Sequence, residues 1–532
     1  MLRISNVKLP AGYENSDLLP AAAKALRLSS KNINEIKIIK RSLDARKKDS
    51  IKYLFTLDVS LNISEKKILA KKLPNVSPSV PVIYSMPERK SFKKKPVVVG
   101  FGPAGIFAAY LLAKAGAEPI VIERGEKVED RKRSVNTFRK ERVLDEESNI
   151  QFGEGGAGAF SDGKLNTGIS DSRIKKVLET FVEYGGPEQI LYDAKPHLGT
   201  DKLPAIIKNI REEIISLGGE FRFSSRLSDI IIENNEVRGI RYISGGDSCS
   251  LETDTVVLAI GHSARDTFRM LCRKGIPMES KPFAVGLRIE HKAELINRAQ
   301  YGNYADTLPT ADYKLFTHLK NGRGVYTFCM CPGGEVVGAT SLKGHVVTNG
   351  MSNFARDGEN SNSAVLVGID KEDYGSSSPL AGMEYQSEIE KRAFTAGGSD
   401  YSAPTQLLGD FLSGTKSISC GSVRPTYQPG TRFCSLDSVL PEKICESIRL
   451  AIPEFASRLR GFDAPDAVLT APETRSSSPV RILRGESMQS ISVKGLYPCG
   501  EGAGYAGGIT SSAVDGLKVA EKIIENCSVS GG

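Results

Sequence analysis

Residues 97–125, VVVGFGPAGIFAAYLLAKAGAEPIVIERG, carry one complete β-α-β unit, which limits the fold more than any other feature of the chain. A short apolar strand leads into Gly100, Gly102 and Gly105 in G-x-G-x-x-G spacing, and an apolar helix follows. A second apolar strand then ends at Glu123. Strand, glycine turn, helix and strand in this order are typical of doubly wound, Rossmann-type α/β domains.

Each residue type in this unit has a physical role. Gly100 permits a tight turn, Gly102 leaves room for a pyrophosphate, and Gly105 lets the helix pack close to the strand. The helix N-terminus offers unpaired N–H groups and partial positive charge to phosphates. Glu123 can accept both hydroxyls of an adenosine ribose. The unit therefore predicts a dinucleotide site.

The C-terminal segment 495–516, GLYPCGEGAGYAGGITSSAVDG, resembles the closing segment of the flavoprotein superfamily that includes glutathione reductase and fumarate reductase. The resemblance implies FAD as the dinucleotide and Glu501 as the contact to its ribityl chain. On physical grounds, Gly507 and Gly508 allow close approach, and a helix beginning near Ile509 would stabilise negative charge on a reduced flavin. The strand TDTVVLAIG, 253–261, resembles the strand that closes the FAD domain in the same superfamily.

Four further segments resemble a bacterial family of FAD-dependent, or NAD(FAD)-utilising, dehydrogenases over essentially the whole chain. They are the glycine-rich run 153–165 and the segments FCMCPGG, NSNSAVLV and ETRSSSPVRI, which begin at residues 328, 360 and 473. The implied fold is α/β: a Rossmann-type three-layer FAD-binding domain with an inserted α+β substrate or cap domain, and a small N-terminal α/β domain. The expected bounds are 1–90 for the small basic domain, 91–265 and 486–532 for the FAD-binding domain, and 266–485 for the cap.

The motifs and the resemblance together give a set of expected cofactor contacts. The glycine-rich run supplies free N–H groups and close backbone approach, and the strand 219–229 is expected to bring a backbone contact to the adenine. The set comprises Gly100, Gly102, Pro103, Ala104, Gly105, Glu123, Arg124, Gly155, Gly156, Gly158, Lys164, Leu227, Gly261, Gly500, Glu501, Gly508, Ile509 and Thr510.

The middle of the chain gives no firm catalytic residue. It contains no second G-x-G-x-x-G, so NADH or NADPH, if it is the transient electron donor, would dock directly on the flavin. Cys329 and Cys331 would share one face of a regular strand. They could be redox-active, because a disulfide between them would be strained and easily reduced, or they could be structural, since buried cysteines usually serve as small apolar residues. Other candidates are acid–base or anion-binding groups, each with a structural alternative: His262, His345, Glu473, Arg475, Arg481 and Arg484.

Charge and cysteine content restrict the setting. The first 96 residues carry a net charge of +13 within a chain of net +8, which makes them a solvated basic surface or a docking face for an acidic redox protein; no nucleic-acid motif accompanies the charge. Nine dispersed cysteines favour a reducing, cytoplasmic setting. No segment is apolar for the ~20 residues that a bilayer requires, no secretory signal is visible, and no ligand spacing predicts a metal site.

The leading hypothesis is an FAD-dependent oxidoreductase, a dehydrogenase or reductase, that transfers a hydride between flavin and a small organic substrate in the cap. Two alternatives remain. A flavin monooxygenase is disfavoured because the closing motif reads Gly-Glu-Gly-Ala-Gly from Gly500, whereas those enzymes usually carry Gly-Asp-Ala-Ala-His. The other is a nucleic-acid- or protein-binding factor that retains FAD and uses the basic N-terminal domain.

Overall fold

The computed structural model describes residues 1–81 and 83–527; residues 528–532 of the expected C-terminal part lie outside it. The N-terminal region forms an antiparallel sheet in the order β2-β3-β1-β4, covered by two helices. Its elements are β1 (Leu2–Pro10), α1 (Leu18–Leu26), β2 (Ile33–Asp44), β3 (Lys52–Leu61), α2 (Glu65–Ala70) and β4 (Val76–Pro78). The prolines at positions 74, 78, 81 and 87 and the lysines at 93–95 predict an irregular linker. This prediction is wrong for β4, whose proline is tolerated because the strand lies at a sheet edge.

The next region holds a five-stranded parallel sheet, in the order β23 (Leu496–Pro498), β11 (Val256–Leu258), β5 (Val97–Val99), β6 (Ile120–Ile122) and β7 (Glu220–Arg222). All of these strands except β23 precede the cap in the chain, together with the surrounding elements. They are β5 (Val97–Val99), α3 (Pro103–Lys114), β6 (Ile120–Ile122), α4 (Val128–Glu141), α5 (Arg173–Glu183), α6 (Gly199–Ser216), β7 (Glu220–Arg222), β8 (Ser225–Glu233), β9 (Glu236–Ser244), β10 (Asp247–Glu252), β11 (Val256–Leu258) and α7 (Arg265–Arg273).

Alternation along the parallel strands explains the three layers, because successive side chains point to opposite faces. Val98, Val121 and Val257 pack in one core with α3 and α6. Their neighbours on the same strands, such as Val97 and Ile120, pack against the antiparallel sheet β8–β10. The expected three-layer Rossmann-type domain is confirmed, with a small sheet as its third layer.

The segment expected as one strand, 219–229, consists of two strands in different sheets. Arg222 ends β7, which pairs in parallel with β6. Ser224 has a positive φ of 50°, and Ser225 begins β8, which pairs antiparallel with β9. The turn at Ser224 therefore carries the chain from the middle layer to the third layer.

The cap is an α+β region around a seven-stranded sheet in the order β14-β15-β18-β13-β21-β19-β20. Helices α8 and α12 pack on it with an apolar core of their own. The elements are β12 (Met278–Ser280), β13 (Phe283–Lys292), α8 (Ala293–Tyr301), β14 (Phe316–His318), β15 (Gly324–Cys331), β16 (Glu335–Gly338), β17 (Thr348–Met351), β18 (Asn360–Ile369), α9 (Lys371–Tyr374), α10 (Ala381–Ala396), β19 (Ala403–Leu407), α11 (Leu408–Ser413), β20 (Thr431–Phe433), α12 (Glu442–Arg458), β21 (Val468–Glu473) and β22 (Val480–Ile482).

The chain then returns to the parallel sheet, as the C-terminal motif predicts. Strand β23 (Leu496–Pro498) joins the edge beside β11, and helix α13 (Ile509–Asn526) packs along α3. Gly516 makes this helix contact close, because a Cβ there would lie 2.2 Å from the carbonyl oxygen of Ala104. The domain bounds themselves stay a prediction. Across the described residues, no helix has the length and apolar character needed to cross a bilayer.

Candidate functional site

A cavity of about 490 Å³ lies between the parallel sheet and the cap sheet. The turns that follow β5, β6 and β11 line one side of it, at the carboxyl ends of those strands. This edge is where open α/β sheets bind ligands. The cap contributes residues 327–330 and Glu473 to the opposite side. A ligand in the cavity would therefore contact both the parallel sheet and the cap.

Most of the residues expected to contact a cofactor line this cavity. They are Gly100, Gly102, Pro103, Ala104, Glu123, Arg124, Gly156, Gly158, Lys164, Leu227, Gly261, Glu501, Gly508 and Ile509. Their binding roles stay a prediction, but the fold brings together positions that are up to about four hundred residues apart in the sequence.

Four of the expected contacts do not line the cavity and instead hold its wall together. A Cβ at Gly105 would lie 1.9 Å from the carbonyl oxygen of Gly100, and one at Gly155 would lie 2.6 Å from Ile207. The N–H of Gly500 donates to Asp515 at 2.7 Å. The fourth residue, Thr510, donates its hydroxyl to the carbonyl oxygen of Leu165 at 2.6 Å. Gly105 and Gly155 are therefore needed for close packing, while Gly500 and Thr510 hold the wall through hydrogen bonds.

The Glu123 carboxylate already organises the turns around it. It accepts backbone N–H bonds from Phe101 at 2.8 Å, Gly153 at 2.9 Å and Gly125 at 3.0 Å. A carboxylate has about four acceptor positions, so acceptor capacity remains on Oε2 for a ligand. The expectation that Glu123 accepts both ribose hydroxyls stays a prediction. The neighbouring Arg124 is held over the ring of Phe152, 4.0 Å from its centroid.

The glycine-rich run is held by a residue that the sequence analysis missed. Arg131, on α4, is fully buried and donates to the carbonyl oxygens of Asn149, Ile150, Gly153, Glu154 and Gly156. Burial lowers its pKa to about 10, so it stays charged at neutral pH. Nothing in the sequence separates it from the exposed Arg133 on the same helix.

We expect Arg131→Lys to lower the free energy of unfolding by about 2 kcal/mol, since a buried acceptor that loses its partner costs ~1–3 kcal/mol. An ammonium keeps the charge but has three donors at a single point instead of a planar fork. Urea unfolding measures the change. Arg133→Lys is the matched control and should shift stability by less than ~0.5 kcal/mol. Equal effects of the two substitutions would contradict the role given to Arg131.

A second buried network of hydrogen bonds and ion pairs lies on the cap side of the cavity. Arg475 lines the cavity and donates to Glu390 at 2.9 Å and 3.0 Å, and to Ser263 at 3.1 Å and Ser341 at 2.6 Å. Arg265 donates to the same Glu390 at 2.9 Å. With most of its N–H groups engaged, Arg475 is a poor substrate-carboxylate clamp.

The other two expected arginines do not line the cavity: Arg481 pairs with Glu279 at 3.0 Å and Arg484 with Asp515 at 2.6 Å.

This network predicts a loss of stability in acid. Burial alone would raise the pKa of Glu390, but the charges of Arg265 and Arg475 outweigh it and lower the pKa to about 2. A carboxylate with a lowered pKa in the folded state stabilises the fold above its ordinary pKa of about 4.5, and that stabilisation is lost as the pH falls toward 2. We expect a loss of roughly 3 kcal/mol from this residue.

Urea unfolding at several pH values from 6 to 2.5 tests this expectation. Glu390→Gln should be less stable at pH 6, because it leaves two buried guanidinium groups without their counter-charge. It should also lack this part of the acid-induced loss. A parallel pH dependence in wild type and Glu390→Gln would contradict the assignment.

The two candidate histidines differ in position. His262 lines the cavity, and burial together with Arg475 and Arg265 lowers its pKa to about 3, so it stays neutral at physiological pH. His345 does not line the cavity; its ring nitrogens bond the carbonyl oxygen of Lys343 at 2.8 Å and the hydroxyl of Ser387 at 2.9 Å. His345 is thus a structural residue.

Glu473 lies in the cavity wall. Burial raises the pKa of its carboxyl group to about 7, although Arg288, which donates to it at 3.0 Å, opposes this shift. It can therefore give or take a proton near neutral pH.

In the part of the chain that the structure describes, the cavity wall presents polar groups without a hydrogen-bond partner and one open turn, which match the polar parts of FAD. The atom nearest to a Cβ built at Gly102 is the Cα of Gly156, at an ordinary contact distance of 3.7 Å. The turn at Gly102 is therefore open toward the cavity. The Glu501 carboxylate accepts no hydrogen bond from any residue the structure describes, and burial raises its pKa to about 7. The buried ammonium nitrogen of Lys164 makes no hydrogen bond within the same described ranges, although Asp162 lies 3.0 Å from it. Acceptor, cation and open glycine turn fit the polar parts of FAD.

Comparison with known proteins gives two family matches. Residues 282–476 match the model described as "FAD-dependent protein, C-terminal domain-like". Residues 1–60 match "Domain of unknown function (DUF8436)". The first match covers most of the cap and supports FAD as the cofactor.

Among curated proteins, an "Uncharacterized protein" of Clostridium beijerinckii is 48% identical over 531 residues, which is 98% of each chain. A thiamine thiazole synthase of Aeropyrum pernix is 27% identical over 206 residues, 36% of this chain and 63% of that protein.

Among the solved structures that match is the flavin-dependent brominase Bmp2, with 14% identity and a TM-score of 0.37 over 82% of this chain and 80% of that one. The quinol fumarate reductase FrdA of E. coli has 12% identity and a TM-score of 0.37 over 83% and 71% of the two chains.

Proposed function

Because this chain belongs to the same family as the Clostridium beijerinckii protein and contains the FAD-dependent C-terminal domain-like region, we propose that it is an FAD-dependent dehydrogenase or reductase. In this proposal a hydride passes between bound flavin and an organic substrate held against the cap sheet. The observation that carries it is the cavity whose walls come from both the parallel sheet and the cap.

The chain's own residues would divide the work as follows. The turn at Gly102 and the N-terminus of α3 would hold the pyrophosphate, and Glu501 would accept hydrogen bonds from the ribityl chain. The N-terminus of α13 at Ile509 would stabilise negative charge. When bound, FAD supplies two-electron hydride chemistry.

On the substrate side of the cavity, Glu473 would donate or accept the proton that accompanies hydride transfer. Its pKa of about 7 and its place in the cavity wall support this role, and Arg288, 3.0 Å away, fixes the orientation of the carboxylate. Neutral His262 would contribute a hydrogen bond without charge.

Two measurements test the proposal. Denaturation of the purified protein should release FAD in about a one-to-one ratio, and anaerobic mixing with NADH and with NADPH should bleach the flavin rapidly with one of them. A protein that binds no FAD, even after reconstitution with excess cofactor, would overturn the proposal. If neither NADH nor NADPH bleaches the flavin, the electron donor must be another molecule.

For that case we propose an acidic redox protein as the donor, docking on the basic N-terminal domain. The net charge of +13 on residues 1–96 supports this choice. The domain is also fixed to the body, since Arg41 pairs with Asp193 at 2.7 Å and Ile51 packs in the cap core. Electron transfer from an acidic donor should then slow steeply with added salt.

A further inference from the structure

We propose that Cys329 and Cys331 form a redox-active dithiol that exchanges two electrons with the flavin, with Cys329 as the thiol on the cavity side. The inference rests on the proposed function, because the exchange needs a bound flavin. It extends that function by assigning an electron-transfer role to two side chains of the protein, in addition to the flavin.

The backbone at this pair departs from the regular strand that the sequence predicts. Strand β15 changes register against β18 between Phe328 and Cys331, and Cys329 has a φ of 42°. A non-glycine residue in the left-handed region is strained, and such strain concentrates at functional sites. The bulge separates the environments of the two thiols: Cys329 lines the cavity, whereas Cys331 is fully buried.

The two residues are in direct contact. The Cys331 thiol donates to the carbonyl oxygen of Cys329 at 3.2 Å, and the same carbonyl oxygen accepts a bond from Arg288 at 2.6 Å. The two residues are separated by one residue, so a disulfide between them would close a small ring. Such a bond is strained and easily reduced, which suits a pair that cycles rather than a structural link.

The surrounding charges divide the pair into one thiolate and one thiol. The neighbouring Cys331 thiol, together with the positive charges of Lys164 and Arg288, holds the pKa of Cys329 well below its usual range, against the opposing effects of burial and Asp162. The proximity of Cys329 and burial raise the pKa of Cys331. The acidic groups that face Cys329 from the other walls are the carboxyl groups of Glu473 and Glu501.

This protonation state balances the reaction with no further reactant. The Cys329 thiolate and the Cys331 thiol form a sulfur–sulfur bond and release two electrons and one proton. Bound FAD in its oxidised form would supply the acceptor for these two electrons and this proton. In the reverse direction the disulfide would accept two electrons and one proton and return to the thiolate and the thiol.

The other cysteine in the cavity wall is unsuited to this role. Cys499 lines the cavity but is fully buried, and burial raises its pKa well above the ordinary value. In the cap, burial likewise raises the pKa of the partly exposed Cys434. Cys434 therefore serves as an internal reference.

The first test is the pH dependence of alkylation in the reduced full-length protein, followed by peptide mass spectrometry after short exposure to iodoacetamide. The rate at an ordinary thiol rises on the order of tenfold per pH unit below a pKa of ~8.5. We expect the rate at Cys329 to change less than about threefold between pH 6.5 and 8.5, while the rate at Cys434 rises steeply. Lys164→Met should shift the Cys329 profile to higher pH.

The shape of the profile, rather than the absolute rate, carries this test, because access to the cavity affects all pH values equally. A Cys329 profile parallel to that of Cys434, or no alkylation of Cys329 at any pH, would overturn the proposal.

The second test is an anaerobic reductive titration of the oxidised holoprotein. We expect wild type and the control Cys434→Ser to take up four electrons per flavin, and Cys331→Ser to take up two. Peptide mass spectrometry should find the Cys329–Cys331 disulfide in the oxidised wild type. Uptake of two electrons by a wild-type protein that binds FAD would overturn the dithiol but leave the proposed function standing. A protein without FAD would overturn the proposed function, while the alkylation profile would still report on the thiols.

Discussion

Gly102→Val should give a folded protein that binds FAD at least about 1,000-fold more weakly than wild type, a loss of roughly 4 kcal/mol. The backbone at Gly102 has a φ of −78°, which any residue can adopt. The Cα of Gly156, 3.7 Å from the added Cβ, is an ordinary contact. The larger side chain would instead occupy the space that a pyrophosphate needs at the N-terminus of α3.

Fluorescence titration of the flavin-free protein measures this affinity, and thermal unfolding checks that the variant is folded. Gly168→Val is a suitable control, because nothing lies within 4 Å of a Cβ at that position and Gly168 does not line the cavity. Gly102→Ala should give an intermediate affinity. A yellow Gly102→Val protein with stoichiometric FAD would exclude this turn as the pyrophosphate site.

Gly516→Ala should lower the free energy of unfolding by about 4 kcal/mol, above the ~1–3 kcal/mol usual for overpacking. A Cβ at this position would lie 2.2 Å from the carbonyl oxygen of Ala104 and 3.1 Å from the backbone nitrogen of Ala108. These backbone atoms belong to α3 and cannot move aside as a flexible side chain does, so α13 and α3 would have to separate. Alanine is otherwise favoured over glycine in a helix by up to ~1 kcal/mol, so any destabilisation must come from the contact.

Urea unfolding of the flavin-free protein measures this effect without a contribution from bound cofactor. Gly485→Ala adds the same methyl group where nothing lies within 4 Å, and we expect it to be within ~0.5 kcal/mol of wild type. If Gly516→Ala were as stable as Gly485→Ala, the close approach of the two helices would be wrong.

The sequence could predict those parts of the fold whose physical requirement is local. The turn at Gly100, the helix behind Gly105 and the return helix at Ile509 follow from glycine spacing and apolar periodicity, and the structure has each of them. The three-layer domain follows in turn, because strands with alternate side chains directed to opposite faces must be covered on both sides.

The sequence could not predict features that depend on a distant partner. Residues 219–229 are continuous in pattern, and only the positive φ at Ser224 divides them into strands of two sheets. Arg131 and Arg133 are equivalent in the sequence, yet one binds five carbonyl oxygens and the other faces solvent. Likewise, the roles of Glu390 and Cys329 arise from charges on other segments.

The order of strands in the parallel sheet also has a consequence for biosynthesis. Strand β23, at one edge, and α13, against α3, come from the last forty residues of the chain. Domains usually fold as the ribosome releases them, but this one must wait until the whole cap has emerged. Until then α3 keeps an uncovered apolar side, so a nascent or truncated chain would be a natural client for chaperones.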